Sequence, residues 1–318
     1  MKTRVLFLLF TLCGLWSRSW ADTSPKELLS LGRADEAVAF LQQQVGRNPA
    51  DAESYNLLCR AYFELEEWDR GIEACERARS LDPQNSWYSL WLGRVYGEKA
   101  GKVSFLSAAG LAKKVRASFE RAVELDPKNW RARADLADFY LEAPGIMGGG
   151  KDKAQAQADA IAPMNPVMAH WIMARIAAKN KDSALAEREY RTAIDASHGS
   201  SRAWFELGYF LFHANRMDEM EQAMRSVESG PVDHAESLRD AASVLLRAGR
   251  NYPLAAKLLR RYLSAPVEEA PAFKAHELLG QVLERQGDKA GAAEEYRASL
   301  AMAREYGKAR EGLKRVDR

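Results

Sequence analysis

An Asn or Asp residue followed by proline recurs along this chain, and each pair follows an apolar, helix-like stretch. The pairs are Asn48-Pro49, Asp82-Pro83, Asp126-Pro127 and Asn165-Pro166, and the first two prolines are 34 residues apart. Proline has no backbone N–H and cannot continue a helix, so each pair indicates where a helix ends. A period of this length is typical of repeat proteins, and it predicts an array of short helical units.

One unit shows the pattern most clearly when it is taken to begin at Ala52. Its positions 4, 7, 8, 11, 20, 24 and 27 are then Tyr55, Leu58, Cys59, Tyr62, Gly71, Cys75 and Ala78. This pattern resembles the tetratricopeptide repeat, in which small residues at positions 8 and 20 let two helices approach closely. The resemblance implies an all-α fold, a right-handed α-solenoid of helix pairs.

The same frame recurs over nearly the whole chain and predicts about eight helix pairs. We therefore expect residues 22–318 to form a single solenoid, with a truncated first unit and a charged capping helix over residues 305–318. Solenoids of this kind have many unrelated binding roles, so the fold alone does not identify a ligand.

The N-terminus is typical of a secretory signal peptide. Lys2 and Arg4 precede the apolar run from Val5 to Trp16, and small residues stand at the −3 and −1 positions of a cleavage after Ala21. The sequence predicts that residues 1–21 are removed and that the protein is exported, either periplasmic or secreted, as in bacterial-type export. No later apolar run is long enough to span a membrane.

Two consecutive units are longer than the period, and both carry their extra residues between the first and second helix. The insertions lie near residues 99–114 and 143–153. Neighbouring turns lie on one edge of a solenoid, so the two insertions should meet there. They are either a functional edge or mutual covers for their apolar residues, which are Phe105, Leu106, Ile146 and Met147.

The second insertion contains a glycine-rich loop followed by a helix. Gly148, Gly149, Gly150 and Lys151 could dock a small anion, because glycines before a helix expose backbone N–H groups. Asp152 stands where a nucleotide-binding loop has Ser or Thr, which argues against a phosphate site. Simple loop geometry is the alternative explanation.

No local motif for catalysis, a metal or a cofactor is found. The five histidines are far apart, and none is at metal-ligand spacing with a cysteine. The sequence therefore predicts a protein that is not an enzyme. Cys59 and Cys75 should be offset by about one helical turn, roughly 5 Å, which strains a disulfide and favours two buried thiols.

The resemblance also implies a binding groove, because tetratricopeptide arrays line their concave face with positions 2, 5, 9, 12 and 13 of the first helix. The predicted groove residues are Asn56, Arg60, Phe63, Trp87, Arg94, Asp138, Trp171, Arg175, Phe205 and Tyr209. Arginines with interleaved aromatic rings suit carboxylates and extended or aromatic peptides. The alternative is that each arginine pairs with a nearby acid such as Asp138.

The charge balance narrows the class of partner. Lys and Arg number 46 and Asp and Glu 44, whereas a nucleic-acid binder is usually far more basic. The leading hypothesis is a scaffold that binds a protein or peptide segment in its concave groove. The alternative is a small-ligand-binding component of an envelope transport system.

Overall fold

The chain folds into a row of antiparallel helix pairs. The computed structural model describes residues 23–264 and 271–317, except for the side chains of Phe105 and Leu106. The predicted signal peptide over residues 1–21 lies outside the described residues. In the described part there are 17 α-helices and no strand, which confirms an all-α solenoid of about eight pairs.

Each pair consists of a first helix, here called A, and a second helix, B, and one more helix follows the eighth pair. In chain order they are α1 (Pro25–Ser30) and α2 (Ala34–Arg47), α3 (Ala52–Glu64) and α4 (Trp68–Leu81), α5 (Ser86–Ala100) and α6 (Phe105–Leu125), α7 (Trp130–Glu142) and α8 (Lys151–Ile161), α9 (Pro166–Lys179) and α10 (Ser183–Ala196), α11 (Ser201–His213) and α12 (Met217–Ser229), α13 (Glu236–Ala248) and α14 (Tyr252–Ser264), α15 (Ala272–Arg285) and α16 (Lys289–Met302), and the final α17 (Gly307–Val316).

The residues just after the repeated prolines explain where the A helices begin. Asp51 and Asn129 each accept a hydrogen bond from the backbone N–H three residues later, at 3.1 Å, and so cap α3 and α7. Asn165-Pro166 has a different role. Asn165 caps α9 and Pro166 is the first residue of that helix, where a missing N–H costs nothing.

Small residues let the helices of a pair pack closely. A Cβ atom added to Gly93 would lie 2.4 Å from the ring of Phe119, and one added to Gly280 would lie 2.7 Å from the ring of Tyr296. Both glycines occupy position 8, so each aromatic ring from helix B fills the space that a larger residue would need.

Neighbouring pairs are joined by a buried apolar core and by a repeated polar contact. The tyrosine at position 11 of helix A bonds to the preceding helix B, 20 residues earlier. Tyr62 accepts from Gln42 at 3.0 Å, and Tyr140 donates to Glu120 at 3.1 Å. The core continues from α1 to α17, as expected for a solenoid whose units stabilise their neighbours.

The structure corrects the prediction of two free thiols. Cys59 of α3 and Cys75 of α4 form a disulfide, with their Cα atoms 5.1 Å apart and both side chains fully buried. The expected axial offset of roughly 5 Å does not prevent the bond, because it still leaves the two Cα atoms within the range of less than about 7 Å that a disulfide needs.

The second insertion contacts the helix that the first one lengthens, and the two insertions differ in form. The first lengthens helix B, so that α6 has 21 residues against 14 in α4. The second forms a 3-10 turn over Gly145–Met147, which contacts α6. The guanidinium of Arg116 packs so closely over Gly148 that a Cβ atom there would lie 2.0 Å from Nη1.

The mutual-cover hypothesis fails for Ile146, whose side chain is 86% exposed. The side chains of Phe105 and Leu106, also named in that hypothesis, lie outside the described part. The spacing between Pro127 and Pro166 overestimates the length of the second insertion, because Pro166 already belongs to the next helix, α9.

The two ends of the array meet across a contact that we call the clasp. Its residues come from the first two pairs and from the last pair with α17: Gly32, Asp35, Glu64 and Glu66 on one side, and Ala272, Lys274, Arg304 and Lys308 on the other. The helices therefore form a closed ring.

Candidate protein-binding groove

The A helices lie on the inside of the ring. Consecutive A helices touch one another in most units, whereas the B helices diverge. A curved array has its shorter circumference where neighbouring helices are closest. The inward face of α3, α5, α7, α9, α11 and α13 is therefore the concave surface, which we call the groove.

The first part of the groove is built around Trp91. The guanidinium carbons of Arg60 and Arg94 lie 5.2 Å and 4.8 Å from the Trp91 ring centroid. Arg94 also bonds to Asp135 of the next A helix at 2.6 Å. Burial and the charge of Arg94 lower the pKa of Arg60 to about 10. Two cations therefore share one aromatic ring, with Phe63 packed edge-on at 5.5 Å.

Trp87 is the most exposed large apolar residue of the groove. Its side chain is 43% exposed, and Arg131 of the next A helix lies over both its ring and that of Trp130, at 5.9 Å and 4.3 Å. The exposed part of the indole gives a flat apolar surface for a ligand.

The middle of the groove carries a network of opposite charges between α7 and α9. Arg175 bonds to Asp138 and, at 3.3 Å, to Glu142, which in turn bonds to Lys179 at 2.8 Å. The Asp138 side chain is 48% exposed to solvent. Desolvation by the surrounding groove raises the pKa of Asp138 to about 6 against the pull of Arg175.

A row of aromatic rings follows on α11, which we call the aromatic ladder: Phe205, Tyr209, Phe212 and His213. Phe205 and Tyr209 lie 5.9 Å apart and Tyr209 and His213 lie 4.5 Å apart, between ring centroids. Arg247 of α13 lies 5.8 Å from the Tyr209 ring and 5.2 Å from the Phe212 ring. Tyr209 remains 38% exposed.

The helix that carries the ladder is joined to the preceding A helix, α9, by another stack of an arginine on a tryptophan. Arg202 lies 4.5 Å from the ring of Trp171 and 3.9 Å from Glu206. Burial raises the pKa of Glu206. Desolvation therefore acts on this carboxylate in the same direction as on Asp138.

The structure brings most of the predicted groove residues to this face but gives them different roles. Trp87 and Tyr209 are exposed surfaces, whereas Asn56 and Trp171 are buried, at 5% and 6% exposure, and form its wall. Arg94 and Arg175 have acidic partners, as the alternative hypothesis expects.

Position 6 of the A helix was missed by the sequence reasoning. It supplies Trp91, which stacks with Arg94, and Asp135, which bonds to Arg94. It also supplies Glu206, which lies beside Arg202. The signal was present, since the repeat frame places an aromatic or acidic residue there in four units, the fourth being Asp240.

The glycine-rich loop does not present unpaired amides for an anion. The N–H groups of Gly148, Gly149 and Gly150 donate to backbone carbonyls, the last of them to Tyr140 at 2.8 Å. The Lys151 ammonium bonds to Asn180 at 2.5 Å. These contacts hold the turn together, so they favour the loop-geometry explanation.

Two further kinds of feature are absent from the described residues, a metal site and a membrane-spanning helix. No group of three or more His, Cys, Asp or Glu side chains is arranged to hold a metal ion. No helix within residues 23–264 and 271–317 is long and apolar enough to cross a bilayer.

Comparison with known proteins agrees with this geometry. Models of the tetratricopeptide repeat match residues 28–91, 173–234 and 239–309, which together make up more than half of the chain. The chain is a tetratricopeptide repeat protein. No curated protein matches it.

Solved structures of other tetratricopeptide repeat proteins are similar in fold. Yeast Tom70 aligns over 89% of this chain and 58% of its own, with a TM-score of 0.54 and 15% identity. A chain of the APC/C hetero-tetramer Cut9–Hcn1 aligns over 92% of this chain and 54% of its own, with a TM-score of 0.43 and 15% identity.

A repeat protein from Cytophaga hutchinsonii aligns over 91% of this chain and 98% of its own, with a TM-score of 0.44 and 14% identity. The present chain spans little more than half the length of the Cut9–Hcn1 and Tom70 chains. At such identities the likeness concerns the fold alone.

Proposed function

We propose that this tetratricopeptide repeat protein is an exported, non-enzymatic scaffold that binds a segment of another protein or a peptide in its groove. The observation that carries the proposal is the inward exposure of aromatic surface, above all at Tyr209 and Trp87. Aromatic side chains in a concave surface are the usual anchors of protein recognition, since they bury a large area with few rotatable bonds.

The charges of the groove define what such a segment would have to offer. Arg94 and Arg175 already have carboxylate partners, Asp135 and Asp138, so a ligand carboxylate would have to displace one of them. An apolar or aromatic side chain meets no such competition at the aromatic ladder. The groove therefore suits a segment with an apolar anchor and little net charge.

Export is supported by two independent features. The first is the signal-peptide pattern over residues 1–21. The second is the disulfide between Cys59 and Cys75, since disulfides persist in oxidising compartments and are rare in the cytosol. Sequencing the N-terminus of the exported protein tests this, and a chain that still begins at Met1 contradicts it.

The binding proposal is tested by affinity purification from the native source, with quantitative mass spectrometry of what the protein retains. The groove variant carries Trp87→Ala and Tyr209→Ala. The matched control carries Phe40→Ala and Ile146→Ala, which remove exposed apolar side chains outside the groove.

A genuine partner is retained by the control and lost by the groove variant. Its affinity, then measured by calorimetry, should fall about tenfold or more, which corresponds to about 1.4 kcal/mol. Equal retention by both variants contradicts binding in the groove.

A further inference from the structure

In the part of the chain that the structure describes, the clasp joins the two ends through a set of polar contacts. Adjacent units share a continuous buried apolar core. Across the clasp the described contacts are ion pairs of Glu64 with Lys274 at 3.0 Å and of Glu66 with Lys308 at 2.8 Å, and a hydrogen bond from the Arg304 backbone N–H to Asp35 at 2.8 Å.

One close backbone approach accompanies these polar contacts. A Cβ atom at Gly32 would lie 2.5 Å from the backbone nitrogen of Ala272, so the two chain ends touch here directly. Gly32 has φ +70°, a conformation that favours glycine. The contact is a local one between two backbone segments.

Beside these contacts an open cavity lies between the two ends. It has a volume of about 770 Å³ and is lined from both ends of the chain, by Val38 and Leu65 on one side and by Tyr306 and Lys308 on the other. The ends therefore meet through a few bridges around a solvent-accessible space.

Such bridges contribute little to stability. Partly exposed ion pairs are typically worth about 0–1 kcal/mol each, and salt weakens them further. Separating a packed pair from its neighbour would instead expose several large apolar side chains. The clasp is accordingly the junction at which the ring can part without unfolding any helix.

We propose that the clasp is a gate, at which the two ends separate reversibly and give sideways access to the groove. This extends the proposed function, on which it rests for the nature of what is admitted. A segment from the middle of a partner chain then reaches the aromatic ladder without a free end being threaded through the ring. The opening itself is a property of the chain alone.

The test therefore uses the full chain without a partner. Small-angle X-ray scattering gives the radius of gyration at about 20 mM and about 500 mM NaCl, between which the screening length falls from about 20 Å to about 4 Å. We expect a larger radius at high salt, with unchanged helical circular dichroism. Zero-length carbodiimide cross-linking should join Glu66 to Lys308 at low salt and lose most of that product at high salt.

Charge reversal provides the second arm. Lys274→Glu with Lys308→Glu places like charges at both bridges, so this variant should show the larger radius already at low salt. Adding Glu64→Lys and Glu66→Lys should restore the smaller radius. The matched control reverses Lys102 and Lys289, which are exposed and away from the clasp, and should behave as the wild type does.

The gate is refuted if the radius is the same for the wild type and the Lys274→Glu, Lys308→Glu variant at both salt concentrations. It is equally refuted if no cross-link between Glu66 and Lys308 forms at low salt. Neither result depends on a partner, so failure of the gate and failure of groove binding are separate outcomes.

Discussion

Individual charged side chains inside the groove are held in an environment between water and protein interior. Asp138 shows this best, because its carboxylate is half exposed and still has a pKa raised to about 6. Folding therefore disfavours the charged form of Asp138, since an aspartate in the unfolded chain has a pKa of about 3.9.

The pH dependence of stability tests this environment. Because the folded pKa is raised, the contribution of Asp138 to stability is fully present below about pH 4 and is lost as the pH rises to about 6. Asn does not titrate. As the pH rises from about 4 to about 7, the melting temperature of the Asp138→Asn variant should therefore increase relative to that of the wild type. A constant difference across that window contradicts the raised pKa.

Two glycines on one helix give a matched test of close packing. Gly93 of α5 faces the Phe119 ring, whereas a Cβ atom at Gly97 would meet nothing within 4 Å. Gly93→Ala should lower the free energy of unfolding by about 1–3 kcal/mol through overpacking. Gly97→Ala should raise it by up to about 1 kcal/mol. Urea denaturation of both variants measures the contrast, and equal effects would contradict it.

Among the elements, the pair α3 and α4 is distinguished by its covalent link. The disulfide joins residues 16 apart in the sequence, within one unit and not between units. It therefore stabilises the unit that contributes Glu64 and Glu66 to the clasp, without fixing the relative position of neighbouring units.

Removing this link tests its contribution. A loop of this size is expected to add about 3 kcal/mol through the entropy of the unfolded chain. The Cys59→Ser, Cys75→Ser variant should therefore unfold at lower urea concentration than the wild type. Dithiothreitol should destabilise the wild type and leave the variant unchanged. An equal response of both proteins to the reductant would show that no disulfide was present.

Local signals predicted the elements well, and distant contacts less well. The frame set by Pro49 and Pro83 predicted where the helices lie, because capping residues and the small residues at positions 8 and 20 act within one unit. The disulfide was mispredicted because the repeat frame indicates the axial offset of the two cysteines but not the distance between α3 and α4 where these helices cross. The partners of Arg94 and Arg175 lie 41 and 37 residues away, a distance at which only the curvature of the array decides which side chains meet.

At the scale of the whole molecule, α17 has two roles. It covers the last pair, since a Cβ atom at Gly312 would lie 2.4 Å from the buried ring of Tyr296. It also carries Lys308 of the clasp. One short helix thus seals the apolar end of the array and joins the ring.

Deleting residues 303–318 should affect both roles. Tyr296 would become exposed, and each large side chain uncovered costs about 1.5–3 kcal/mol, so the melting temperature should fall. The radius of gyration should increase as the clasp is lost. A truncation that removes only residues 317–318 is the control. Wild-type values of both quantities in the longer deletion would contradict this account of α17.

The closed ring also limits how this protein can change in length. An open solenoid can gain or lose a repeat at little cost, because each unit contacts only its neighbours. Here the first and last units must meet, so the number of repeats is tied to the circumference, and a ninth pair would push Glu66 away from Lys308. Added residues fit only where they leave the circumference unaltered, at the turns between helix A and helix B. The second insertion of this chain forms such a turn, and the first lengthens α6 at the end that follows one.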